Sequence, residues 1–404
     1  MKKTFLYSMI ACLSSQFCLS CVNKQEQTNT AADTIGYPVQ IPFETAIGSE
    51  RDLKLSEIAD SVRFIPLETT EASLLNRIMQ GGILKSSKYW FLYSYKNVYQ
   101  FTDDGKFVRT IGSRGNGPGE YSSVACIDIE ETLGNVYVLS PGKNINVYDM
   151  ETGKYLYTRK APSFSSWSFA MLNDSVSACF QYNFSGQERN RILVAGAEGD
   201  TIKSFPRNDL FEIKTDYVSL LHFDDDRYMF RYDDMVCYKE YYNDTLFVVT
   251  PDSLKPRYVF GLGKYSIPIE HRPEVMGFDK KVFKTTSSSY IRMQALETDA
   301  WVFMPYSYWQ IESSTIDDIH LLVYDKNKKE SFEVGDGAIL NDMCSTVNIP
   351  FCPQNVVGSN ILISLLPAEN IFELAEENPS ILEHPQLKGL SEDSNPILMA
   401  VYLK

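Results

Sequence analysis

"KNVYQFTDDGKFVRTIG", residues 96–112, joins two alternating apolar and polar runs through an acidic turn that ends in Gly105. Strand side chains point alternately to opposite faces, so the pattern predicts a β-hairpin. The same order returns in "KNINVYDMETGKYLYTRK" (143–160). Looser copies follow in "NRILVAGAEGDTIKSF" (190–205), "NDTLFVVTPDSLKPRYVF" (243–260) and "DIHLLVYDKNKKESFEV" (318–334). The turn residues Gly105, Gly153, Gly199 and Ser253 lie 48, 46 and 54 residues apart. A period near 50 with one hairpin per period is that of a four-stranded propeller blade. Between the hairpins, "VACIDIE", "NVYVLS", "SVSACFQY", "RYMFRY" and "AWVFMPY" are short β-branched or aromatic runs fit for inner strands.

Two stretches break the period, 267–289 and 367–389, and both read as insertions on a face of the ring. The second has helical spacing at Ile371, Leu374 and Ala375, with Pro379 interrupting it. Setting the insertions aside leaves about 49 residues for each of six blades. The expected fold class is therefore all-β, a six-bladed β-propeller of four-stranded antiparallel blades over residues 39–404. An unpaired sheet edge invites aggregation, so a ring must join its ends. "SVRFIPLET" (61–69) and "NPILMAVYLK" (395–404) are both strand-like and are expected to meet in one blade.

The N-terminus reads as an address. Lys2 and Lys3 precede a short apolar run, "TFLYSMIACLSSQFCLS", which predicts an export signal over residues 1–20. Its end, "CLSC", resembles a bacterial lipobox with Cys21 as the lipidated residue, although Cys18 stands where an aliphatic residue is usual. Residues 21–38 then form a lipidated, polar tether with no apolar period. A membrane partner is expected through that anchor alone. The 52 acidic residues against 38 Lys and Arg leave a formal charge of −14 with no basic run, which excludes nucleic acid as a partner. Cys126, Cys179 and Cys237 sit in apolar runs as buried thiols, while Cys344 and Cys352 are close enough in sequence for a disulfide.

"TIGSRGNGPGEYSSV" (110–124) is the one stretch that invites a phosphate reading. A Walker loop ends in Gly-Lys-Ser/Thr and a dinucleotide loop opens a helix. Here no lysine follows, and "SSVACIDIEE" reads as a strand, so the glycines turn the chain between blades. With "FTDDGKFVRTIGSRGNGPGEY", "NDTLFVVTPDSLKPRYVFGLGK", "ADSVRFIPLET" and "NPILMAVYLK" in view, the mature chain resembles the six-bladed propeller lipoproteins of Bacteroides-type bacteria, related to NHL-repeat propellers. The resemblance implies a propeller fold and a cell-envelope location, in the outer membrane. It carries over no catalytic residues.

No catalytic set assembles from the sequence. His222, His271 and His320 are spaced by 49, but their contexts differ and the spacing reads as accidental. Asp224, Asp225 and Asp226 offer oxygen enough for a calcium ion if backbone carbonyls help, the other reading being a solvated acidic turn; no other cofactor is expected. Propeller ligands gather where inner strands and connecting loops converge, which makes Arg114, Tyr121, Arg231, Tyr232, Tyr306 and Trp309 the candidate ligand residues. The expected function is an envelope binding scaffold for a glycan, peptide or partner protein. A channel-mouth enzyme, such as a glycan-processing lyase or hydrolase, is the alternative and requires carboxylates, or a His with a carboxylate, to converge there.

Overall fold

The computed structural model describes residues 37–404 apart from 76–77, 80–81, 142–143, 184, 213–228, 241, 272–287, 310–318 and 345–346. Six sheets follow one another along the chain. Blade one is Ile83–Lys85, Tyr89–Tyr93, Val98–Thr102 and Phe107–Ile111; blade two runs from Cys126 to Lys160, blade three from Ser166 to Pro206, and blade four from Met229 to Phe260. In blade five the first strand is broken into Ile291–Met293 and Leu296–Glu297, both paired with Trp301–Tyr308. Every repeated hairpin of the sequence is the outer pair of a blade.

Blade six is built from both ends of the chain. Its inner strands are Asn355–Val357, Ile361–Leu366 and Ile397–Leu403; its outermost strand is Ala59–Pro66, antiparallel to Ile397–Leu403 in a register running from Ile397 opposite Pro66 to Leu403 opposite Ala59. The expected closure is therefore present.

Before entering blade six, the N-terminal segment runs along the rims of two others. Val39–Ile41 adds a parallel strand to Leu254–Phe260 of blade four, and Glu50–Arg51 adds one to Glu330–Val334 of blade five. Strands of three and two residues carry no readable alternation, so sequence pattern alone did not reveal this wrap.

The second strands Asn135–Ser140 and Ser177–Gln181 are buried at every position, because both faces pack against neighbouring blades. The core is accordingly a set of layers between blades, and full burial of each large apolar side chain stabilises it by about 1.5–3 kcal/mol. The repeated glycines set the spacing of these layers. Gly105 has φ +86°, and a Cβ there would lie 2.2 Å from the Pro66 carbonyl oxygen in the outermost strand of blade six. Gly153 and Gly199 likewise press their turns against the outer strands of the preceding blades, at Arg109 and Lys160.

The second insertion forms the helix Ala368–Glu377 and, from Pro379, a 3-10 turn to Glu383. Ile371, Ala375 and Ile381 join the core of the closure blade, whereas Leu374, expected on the same face, stays 38 % exposed. Most of the first insertion lies outside the described residues.

Candidate functional site

The first strands of successive blades meet around the axis. At the end where each first strand turns into its second, they frame a cavity of about 510 Å³. Ile83, Leu84, Val356 and Val357 give it an aliphatic wall from blades one and six; Glu130 and Glu131 enter from blade two, and Arg231, Asp233 and Asp234 from blade four. Of the six sequence candidates, this mouth takes Arg231.

Arg231 ties three blades together. Its Nε and Nη2 donate to the Asp128 carboxylate of blade two at 3.2 and 2.8 Å, and Nη2 also donates to the Met171 carbonyl of blade three at 2.8 Å. Burial works against the guanidinium charge, but Asp128 outweighs it and holds the group above its ordinary value. Asp128 also accepts the Met171 and Ile129 amides, so the buried carboxylate is met on both oxygens. A guanidinium has five N–H groups, and those on Nη1 make no hydrogen bond to a described residue. Lys85, the other cation among the described lining residues, is held at 2.9 Å by Asp103 and donates to the Ser86 carbonyl.

The carboxylates of the mouth are less constrained. Glu131 accepts from the amide and hydroxyl of Ser87, and Glu130 from the Thr132 amide. Asp233 sits in a left-handed turn, φ +49°, and neither it nor Asp234 makes an ion pair with any described residue. Asp128 could have been suspected from "CIDIE", an acid within a buried inner strand. The convergence of Glu130, Asp233 and Asp234 leaves no such trace, since it joins two separate turns.

The other candidates lie elsewhere. Arg114 is exposed in the glycine loop, bridged in parallel to Tyr121. Tyr121 is buried, its hydroxyl donating to the Ile111 carbonyl at 2.9 Å, and burial pushes that hydroxyl up to about 12. Tyr232 donates to Asp299 at 2.9 Å. Its ring lies beside a buried cluster in which Glu297 accepts from Arg257, Tyr258 and Lys326 at 2.6–2.7 Å. Tyr306 donates to Glu333 at 2.7 Å and stacks on His320. Trp309 stacks on Tyr242 at 5.1 Å and donates to the Ile291 carbonyl. Aromatic residues at strand ends are used here to seal the seams between blades, a role their composition does not distinguish from ligand stacking.

The glycine loop supplies its own anion. Glu120 folds back so that its carboxylate accepts the Gly117 amide at 2.8 Å, and a strand, Cys126–Glu130, follows the loop. His320 pairs with Glu333 at 3.2 Å on the outer strands of blade five, away from the channel, while His271 and His384 stand in unrelated insertions. His222, Asp224, Asp225 and Asp226 lie outside the described residues, as does Cys21. Among the described residues no group of three or more His, Cys, Asp or Glu is placed to hold a metal ion. Cys126, Cys179 and Cys237 are buried thiols, and no disulfide joins Cys344 to Cys352, although sequence spacing allows one. No helix of the described residues is long and apolar enough to cross a membrane.

A domain of unknown function, DUF4934, matches residues 38–402. The chain belongs to the DUF4934 family. A comparison with curated proteins finds no match. Among solved structures, this DUF4934 chain is similar to a Bacteroides fragilis protein proposed to be exported, at 17% identity and a TM-score of 0.68, over 91% of this chain and 100% of that one. That likeness shows the propeller fold. Two others align more weakly and carry no argument. The Neurospora crassa Pan2 WD40 domain has a TM-score of 0.38 at 9% identity, over 72% of this chain and 74% of that one. The extracellular domain of a B. thetaiotaomicron protein proposed as a one-component system has a TM-score of 0.37 at 15% identity, over 77% and 32%.

Proposed function

We propose that this chain is a cell-envelope lipoprotein, anchored in the outer membrane through Cys21, whose propeller binds a glycan, peptide or protein segment at the channel mouth. The cavity of about 510 Å³ framed by four blades carries the binding reading, since its volume suits a small ligand or a side chain. The signal-like first twenty residues and the likeness to a protein proposed to be exported support the address. Palmitate labelling in expressing cells tests the anchor: label is expected in the full chain and lost with Cys21→Ala. A panel of glycans and peptides tests the site, binding being expected to the native chain and lost with Thr132→Trp, which fills the rim of the cavity.

One observation favours a second reading as an enzyme on glycans. Glu130, Glu131, Asp233 and Asp234 all line the same mouth, and acid–base work on a glycosidic bond needs two carboxylates. Turnover abolished by Glu130→Gln, with binding retained, would favour catalysis. Binding without turnover would leave the scaffold reading standing.

A further inference from the structure

We propose that the channel mouth takes a ligand bearing an alkyl ammonium or alkyl guanidinium group, the chemistry of a lysine or arginine side chain. This deepens, and rests on, the reading of the mouth as the binding site.

Three features of the cavity point the same way. Its walls differ in kind: Ile83, Leu84, Val356 and Val357 offer aliphatic surface, while Glu130, Asp233 and Asp234 offer carboxylates. Among the described lining residues the two cations each have a carboxylate outside the lining, Arg231 with Asp128 and Lys85 with Asp103; Arg231 also feels Glu130 and Asp234, but the four lining carboxylates outnumber these cations. Concave walls of low dielectric focus the field of such charges, which draws in a cation. A neutral sugar would set hydroxyls against the aliphatic wall and leave the carboxylates unanswered. An anion would be repelled. A methylene stem with a cationic tip places each part on a matching wall, as long basic side chains do on protein surfaces.

A basic peptide and a free polyamine share this chemistry, and titration calorimetry on the full chain in detergent separates them. The probes are N-acetyl-tetralysine amide, spermidine, tetraglutamate and cellotetraose. Tetralysine is expected to bind with an affinity that falls as salt rises, and tetraglutamate and cellotetraose not to bind. Asp233→Asn with Asp234→Asn should weaken tetralysine about tenfold or more. The fold should survive, since Asn tolerates the left-handed backbone at 233. If that pair melts early, Thr132→Trp decides alone, through loss of tetralysine binding. Spermidine binding as tightly as tetralysine would identify a free polyamine as the source; weaker spermidine binding identifies a peptide. Failure of both cations to bind overturns the proposal. Cellotetraose bound in their place and lost with Thr132→Trp overturns the cationic class but keeps the mouth as the site. Tetralysine binding untouched by every variant overturns both readings.

Discussion

Gly105 shows how one residue can space two blades. It combines a positive φ with a Cβ position 2.2 Å from the Pro66 carbonyl oxygen, so an added methyl meets both left-handed strain and a backbone clash. Gly105→Ala is expected to cost about 2 kcal/mol or more, read as a lowered urea midpoint at unchanged m-value. Tyrosines act in the same seams. Burial pushes the Tyr121 hydroxyl up to about 12; burial, and then Glu297 for Tyr258 or Glu333 for Tyr306, holds those hydroxyls above their usual range. A raised folded value means the unfolded chain releases its protons first, from about pH 10 upward. The contribution of these tyrosines is therefore complete below about pH 10 and lost above it. Exposed tyrosines such as Tyr95 and Tyr157 ionise without unfolding, so only the last part of the tyrosinate absorbance in an alkaline titration should rise together with the loss of far-ultraviolet circular dichroism. Complete ionisation of all tyrosines with the fold intact would contradict the burial.

Elements differ in how far their own pattern specified them. Each hairpin was legible because alternation and a turn are local signals; the helix Ala368–Glu377 was legible from its spacing, but its buried face was not. A period of 3.6 places Ile371, Leu374 and Ala375 near one stripe, but the helix buries Ala368, Ile371 and Ala375, which leaves Leu374 at the edge of that stripe and outside the core. Ile371→Ala is expected to cost about 2–5 kcal/mol, whereas Leu374→Ala should cost below about 1 kcal/mol. Equal losses from the two variants would place Leu374 in the core after all.

The whole molecule is a ring closed by one strand ladder. Ala59–Pro66 and Ile397–Leu403 join the ends, and blade six lacks a third strand without residues 395–404. Removing those residues also exposes the core shared by Phe64, Ile371, Met399 and Val401. The truncated chain is expected to lose its cooperative thermal transition altogether, rather than shed one blade. A truncation that melts like the intact protein would mean that the ladder does not hold the ring.

Blade count, hairpin positions and ring closure were available from the chain itself, because a blade's strands are neighbours in sequence and its repeat length is a local property. The make-up of the candidate site was not. Arg231 and Asp128 are 103 positions apart, and whether such residues meet depends on how six blades curve around an axis. Packing of rings between blades likewise moved Tyr121, Tyr232, Tyr306 and Trp309 into seams, since an aromatic side chain is equally suited to core and ligand until its neighbours are known.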